Sequence, residues 1–209
     1  VRTVAPIFDT IIVDDFLCTL CFCEECAQAK GERTWETYYA ELLVEVARNR
    51  IILPARDENE NAHLIIKYPQ WYDRFHAFGY DVETHPKQFD EVWVGTEIRD
   101  TRVEYVHPYQ AFVNYRWLAS LSGDKIGGGW FDFINVYPEV YLEQAFQSVL
   151  AGARELIRFS YQPPLYSLEN ENTAALLEIM PSLMKLADFI GDRPLMGIMG
   201  YKPPNSDGE

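Results

Sequence analysis

An α/β fold of sequential parallel βα units is predicted by three features: short apolar runs, helical apolar spacing between them, and a regular interval from run to run. Five runs read as buried strands: Phe8–Phe16, His63–Tyr68, Glu91–Glu97, Lys125–Asp132 and Glu155–Tyr161. They are continuous rather than strictly alternating, as expected of strands covered on both faces in a parallel sheet. The starts at Phe8, His63, Glu91, Lys125 and Glu155 lie 55, 28, 34 and 30 residues apart, the wide first gap holding the cysteine-rich stretch and a long helix, so three of the four gaps fit one period. A (β/α)8 barrel uses roughly 31 residues per βα unit. The predicted class is therefore a (β/α)8 TIM barrel, of which this chain holds about five sequential units, the C-terminal half. A doubly wound open sheet shares the local pattern. However, Gly127-Gly128-Gly129 lies inside a strand pattern and leads into no helix. It matches neither nucleotide-binding fingerprint.

The elements follow in order. After the first strand and a cysteine-rich stretch, Trp35, Tyr38, Tyr39, Leu42, Leu43 and Val46 recur at helical spacing. Between the third and fourth strands, Val113, Trp117, Ser120 and Leu121 line one helical face. Pro138 is well placed at the first position of the next helix, which carries Tyr141, Leu142, Ala145, Phe146 and Val149, because its missing N–H is not needed there. Thr173–Ile190 reads as helical, with a break or restart at Pro181 and a stop at Gly191. A sixth strand is expected over Leu195–Tyr201. Residues 1–193 would form the partial barrel domain, and 194–209 a linker or the start of a following α/β domain. The first residue is Val1 and the other end carries the loop-like Lys202-Pro203-Pro204-Asn205, so a piece of a longer product is expected.

Charge narrows the partners. With 18 basic against 32 acidic residues the formal charge is −14, which repels phosphate backbones and argues against nucleic acid. No apolar run approaches the roughly 20 residues of a membrane span. Aromatic residues make up 14% of the chain and several sit beside polar residues at strand ends, a pattern suited to a neutral, ring-shaped ligand such as a sugar.

Chemistry in βα folds gathers where strands end. Those ends present Asp14-Asp15, then Lys67, then Thr96-Glu97, then Trp130 and Asp132, then Ser160-Tyr161. Carboxylates at an apolar rim cost desolvation energy unless paired or used. Capping the next loop is the ordinary role of an isolated Asp or Glu; a converging set suits a reaction that needs two carboxyl groups. Glycoside hydrolysis is such a reaction, with one carboxyl protonating the leaving oxygen and another attacking or activating water. The candidate catalytic residues are Asp14, Asp15, Glu97 and Asp132, and the candidate substrate contacts Lys67, Tyr68, Trp71, Trp130 and Tyr161. His63, His76, His85 and His107 are scattered and read as solvated or hydrogen-bonded structural residues.

All four cysteines fall in one motif, Cys18-x2-Cys21-x-Cys23-x2-Cys26. Disulfide frameworks spread their cysteines to staple distant loops, so this clustering points to a metal site and a reducing compartment such as the cytoplasm. Zinc is the usual occupant, and four thiolates leave no open position for water, so its role would be structural. Three of these ligands with one from elsewhere is an equally feasible set.

A strand ending in acids and followed by Cys21-Phe22-Cys23-Glu24-Glu25-Cys26 resembles the family 42 β-galactosidases and related uncharacterised barrel proteins. In those proteins a C-x-C-x2-C loop after the acid-bearing fourth strand binds structural zinc. The resemblance makes Phe8–Phe16 strand four, numbers the others five to eight, and implies a carbohydrate substrate and further domains. Family 42 enzymes carry Asn-Glu on strand four and a Glu nucleophile on strand seven; here those places hold Asp14-Asp15 and Asp132, with Glu97 on strand six. An Asp on strand four with an acid on strand six resembles the α-galactosidase clan instead. The leading pair is Asp14 or Asp15 with Glu97, with Asp132 as the alternative partner. The rival expectations are a non-catalytic sugar-binding barrel and a zinc-loop interaction or thiol protein. Half a barrel would leave edge strands open to association with other copies.

Overall fold

The computed structural model describes residues 1–14, 20–71, 74–99, 107, 109–132, 136–159, 171–194 and 196–204. Its strands are β1 (Thr10–Val13), β2 (His63–Tyr68), β3 (Glu91–Gly95), β4 (Ile126–Asp132) and β5 (Leu156–Phe159). They are hydrogen-bonded in the order β1-β2-β3-β4-β5, and β1–β2 and β4–β5 pair in parallel. Helical segments separate every strand from the next, as crossovers between parallel neighbours require. The expected α/β class and sequential order are both present. By internal contacts the chain divides into two compact units, one of Val1–Val92, Ala119–Ile126 and Tyr201–Glu209, the other of Trp93–Leu118 and Gly127–Gly200.

In the first unit Val13 lies opposite Ile66, so the next residue on each chain, Asp14 and Lys67, reaches the same end of the pair. β2 buries Leu64 to Tyr68 without interruption, as its continuous apolar run demands. Between β1 and β2 come α1 (Glu24–Lys30), α2 (Trp35–Val46), a π-helical turn (Ala47–Ile52) and α3 (Leu53–Glu58). The Thr34 hydroxyl caps α2 by accepting the Thr37 N–H at 3.2 Å, and the helix buries Tyr38, Tyr39 and Leu43 at helical spacing. Between β2 and β3 a 3-10 turn (His76–Phe78) precedes α4 (His85–Gln88); Gly79 ends the turn with φ of 82°, and a Cβ there would lie 2.6 Å from Tyr39 Cβ. Both the turn and the close approach require glycine. At the start of β3, the Asp90 carboxylate accepts the Leu64 N–H at 2.9 Å and Arg56 at 2.7 Å, and the Asp90 N–H donates to the Leu64 carbonyl.

The glycine run finds its explanation in the second unit. A Cβ on Gly128 would stand 2.7 Å from the Trp93 indole, whereas one on Gly129 would stand 3.3 Å from Leu156 Cδ2. Gly128 is thus the slot that lets the Trp93 ring lie on β4. Overpacking a filled core costs typically about 1–3 kcal/mol, so Gly128→Ala is expected to destabilise by about that amount. Gly129→Ala should cost less, and urea unfolding of the two variants side by side checks the order.

Helix α5 (Gln110–Ser122) corrects one expectation. The helix is there, but it buries Ala111, Asn114, Tyr115 and Leu118, while Val113 is exposed. Hydrogen bonds to main-chain carbonyls decide the face: Asn114 Nδ2 donates to Gly95 at 2.8 Å and Tyr115 Oη to Gly127 at 2.9 Å. A count of apolar residues alone could not register them. Helices α6 (Pro138–Leu150) and α7 (Glu171–Ile190) share a core of Phe131, Tyr141, Ala145, Val149, Leu176 and Leu183. Pro138 starts α6 as expected, and Gly191 follows α7 with φ of 47°. Pro181 neither breaks nor restarts α7. The carbonyl that it leaves without a donor belongs to exposed Leu177, where water can take over the bond. The sixth strand is not formed over residues 196–204, where Met196, Ile198 and Met199 are almost fully exposed. An apolar run becomes a strand only when a neighbour pairs with it. Among the described residues no helix is long and apolar enough to cross a membrane.

Candidate active site and thiol cluster

Strand register brings two nominated residues of the first unit together. Lys67 Nζ lies 2.9 Å from Asp14 Oδ1, with 7% of the lysine side chain and 25% of the aspartate side chain exposed. A buried ammonium needs such a partner to offset its lost hydration. Tyr68, the next residue, is fully buried against Phe75, Tyr80 and His85, with ring centroids 5.6, 5.3 and 6.2 Å away. Trp71 is half-buried and rests on Phe78 at 4.8 Å. Asp15, Cys18 and Tyr161 lie outside the described residues.

The second unit holds the other nominated acids. Glu97 follows β3 and Asp132 ends β4; both are buried. Arg99 Nη2 donates to Asp132 Oδ2 at 2.8 Å. The Gln144 amide donates to the Asp132 carbonyl at 3.3 Å and accepts the Ile98 N–H at 3.0 Å. One side chain of α6 therefore ties the segment after β3 to the end of β4. Thr96 is fixed similarly, its hydroxyl donating to the Trp130 carbonyl at 3.1 Å and accepting Ser148 at 2.7 Å. Trp130 itself is buried, edge-on to Phe159 at 6.2 Å. Arg99, Gln144 and Ser148 were not among the sequence candidates. Arg99 follows Glu97 by two residues, a local signal; Gln144 and Ser148 gave none, because their partners are distant in sequence.

The thiols of Cys21, Cys23 and Cys26 lie within 4.8 Å of one another. Cys23 occupies the N-cap position of α1 and Cys26 sits in its first turn. The Cys26 backbone N–H, then the Cys21 and Cys26 thiols, hydrogen-bond to Cys23 and hold its thiol below the ordinary range. Cys26, hydrogen-bonded to Cys21 and Cys23, is pushed up to about 11. The cluster thus favours one thiolate and resists a second unless a cation replaces the protons. Tetrahedral zinc with Zn–S near 2.3 Å needs sulfur atoms roughly 3.8 Å apart, a small contraction from this arrangement. Three thiolates from one short loop fit a metal ion. The loop is anchored, with Tyr39 Oη donating to the Cys21 carbonyl at 2.9 Å and Phe22 edge-on to Trp35 at 4.8 Å.

The histidines divide. His63 pairs with Glu91 at 2.9 Å, but His85 is fully buried and neither ring nitrogen has a hydrogen-bond partner among the described residues. The expectation of a solvated or hydrogen-bonded residue fails at His85. Burial lowers its pKa to about 4. The first unit also carries a cavity of about 620 Å³ along α2, lined by Glu36, Glu45, Arg48, His76 and Asp81 among others; none of the nominated site residues lines it.

Carboxylates stand at or just after the ends of β1, β3 and β4, and glycoside hydrolysis uses a pair of carboxyl groups. The chain belongs to the family described as "Probable glycosyl hydrolase, catalytic domain", whose model matches residues 1–177. Over 149 residues it is 29% identical to an uncharacterized protein of Saccharolobus solfataricus, covering 61% of this chain and 24% of that relative. The chain thus spans about a quarter of the relative's length. No solved structure matches it.

Proposed function

We propose that the chain is part of a retaining glycoside hydrolase acting on O-glycosidic bonds within a complete (β/α)8 barrel. The observation that carries this reading is the family match over residues 1–177, supported by the carboxylates at the ends of β1, β3 and β4. Asp14 or Asp15 and Glu97 form the catalytic pair, one as the acid and the other as nucleophile. Asp132, which accepts Arg99, is the alternative partner. Lys67, Tyr68, Trp71, Trp130 and Tyr161 shape the site, and the carbohydrate is the partner. Residues 1–193 belong to the barrel, and 194–209 lead into a following domain.

The test is a panel of aryl α- and β-glycosides offered to the full-length protein, with the anomer of the first product read by proton NMR. Cleavage with retention is expected. Inversion would reassign the second carboxyl to water activation, and sugar binding without cleavage would favour the non-catalytic barrel.

Cys21, Cys23 and Cys26 hold a structural zinc ion, with Cys18 or a residue from elsewhere in the protein as fourth ligand. Full-length protein purified without chelator is expected to carry about one zinc at this loop, read by elemental analysis against a Cys23→Ser variant. Equal zinc in both proteins, or freely titratable thiols at all four cysteines, would remove the assignment.

A further inference from the structure

We propose that Gln144 is a positioning residue: its amide takes the place of one rung between β3 and β4 and so sets where the carboxylates of Glu97 and Asp132 stand, without touching the sugar. This rests on the glycosidase reading above, and it holds whichever of the two acids reacts.

Three observations lead here. The first is the course of the ladder. β3 and β4 are neighbours in the sheet, and the Thr96 N–H donates to the Trp130 carbonyl at 2.8 Å. Rungs of a parallel ladder are evenly spaced, so the next N–H directed at β4 is that of Ile98, and its regular acceptor is the Asp132 carbonyl. Instead the Ile98 N–H donates to Gln144 Oε1 at 3.0 Å, and Gln144 Nε2 donates to the Asp132 carbonyl at 3.3 Å. The amide accepts on one side and donates on the other, as the two main-chain groups require. Seated in that rung, it keeps the strand ends apart by its own width. The second observation is burial. Gln144 and Ile98 are 0% exposed and Asp132 is 1% exposed, which leaves Gln144 no surface to offer a ligand. A glutamine in such a place costs desolvation unless its amide is used, and an apolar residue would fill the same helix face without that cost. The third is anchoring. One turn later on α6, Ser148 Oγ lies 2.7 Å from Thr96 Oγ1, so the helix holds the chain on both sides of Glu97. The far edge of β4 is fixed as well, with Asp132 opposite Phe159 of β5. A displacement of about 1 Å near a reacting group can cost on the order of 10²-fold in rate, so this one amide is placed to govern turnover.

The experiment compares full-length parent, Gln144→Met and Gln144→Asn on the best aryl glycoside of the panel, well below the melting temperature of each. Met keeps the length of the side chain and removes both hydrogen bonds. Asn keeps an amide in the core but is one methylene too short to span the gap, and it supplies the reading if Gln144→Met does not fold. Each variant is expected to lower kcat by about 10- to 100-fold with KM changed less than about threefold, because the loss belongs to the transition state. Gln144→Asn is then added to whichever of Glu97→Gln and Asp132→Asn lowers turnover more. It should cost nothing further there, because a residue that acts only through that carboxyl has nothing left to lose. A folded variant with the parent's kcat, an effect carried mainly by KM, or losses that multiply would overturn the proposal. If the parent cleaves no glycoside, the glycosidase reading has failed on its own. Amide hydrogen exchange of parent and Gln144→Asn then decides the bridge. Faster exchange confined to the peptide containing Ile98 keeps it, and exchange equal to the parent's overturns it.

Discussion

Glu97→Gln and Asp14→Asn, made singly in the full-length protein, are expected to lower kcat on a cleavable aryl glycoside by about 10²- to 10⁴-fold each. Both replacements keep the shape of the side chain and remove the carboxyl that donates a proton or faces the developing oxocarbenium charge. That charge exists only in the transition state. Affinity for a non-hydrolysable thioglycoside should therefore stay within a few-fold of the parent, while turnover collapses. Asp132→Asn separates two roles. Its carboxylate is 1% exposed and bound to Arg99, so the variant should lose stability and turnover together. Wild-type rates in all three variants and in Asp15→Asn would place the catalytic residues outside the four nominated here. If Asp132→Asn alone abolished turnover at unchanged stability, the alternative pair would be the correct one.

The strands were legible because burial on both faces writes itself into composition. His63–Tyr68 needed no adjustment and β4 moved by one residue, since an uninterrupted apolar run has few other places to go. The ends of strands were less legible: β1 stops at Val13, short of the run's polar end, because pairing rather than apolarity sets a strand's length. Helical faces were the weakest reading. On α5 the deciding contacts were donors to Gly95 and Gly127 carbonyls, and a polar residue chosen to satisfy a buried carbonyl is indistinguishable in sequence from one chosen for solvent. The same blindness hid Gln144 and Ser148. The glycine run could be excluded as a phosphate loop, but its purpose depended on Trp93, 35 positions before Gly128. At the site, residue types at strand ends were readable and partners were not. The Asp14–Lys67 pair follows from register, and Asp132–Arg99 from a segment with no regular structure. The thiol cluster was the most local feature, and the spacing of its last three cysteines sufficed to bring them together.

His85 marks the reverse case, a polar residue placed where polarity is a liability, and it should make the stability of the first unit depend on pH. The ring is fully buried between Tyr68, Tyr80 and Phe89, at 6.2, 6.1 and 5.7 Å between centroids. Burial drives its pKa down to about 4 from the ordinary 6.5, with Asp81 opposing weakly. Above pH 6.5 the ring is neutral in both folded and unfolded chains and the stability is independent of it. Between pH 6.5 and 4 the unfolded chain takes up a proton that the folded one refuses, so stability falls as the pH is lowered. A shift of this size corresponds to about 3 kcal/mol, fully lost near pH 4. Phenylalanine nearly matches the ring in volume and carries no proton, so His85→Phe should remove this component. The measurement is the free energy of urea unfolding of parent and variant at pH 7, 6, 5 and 4, taken as a difference so that other titrating groups cancel. The variant is expected to be at least as stable at pH 7, because it buries no polar nitrogen. Its advantage should grow by about 3 kcal/mol as the pH is lowered to 4. Parallel curves would mean that the ring is hydrated or hydrogen-bonded in solution, and the aromatic enclosure around it would then have to be open.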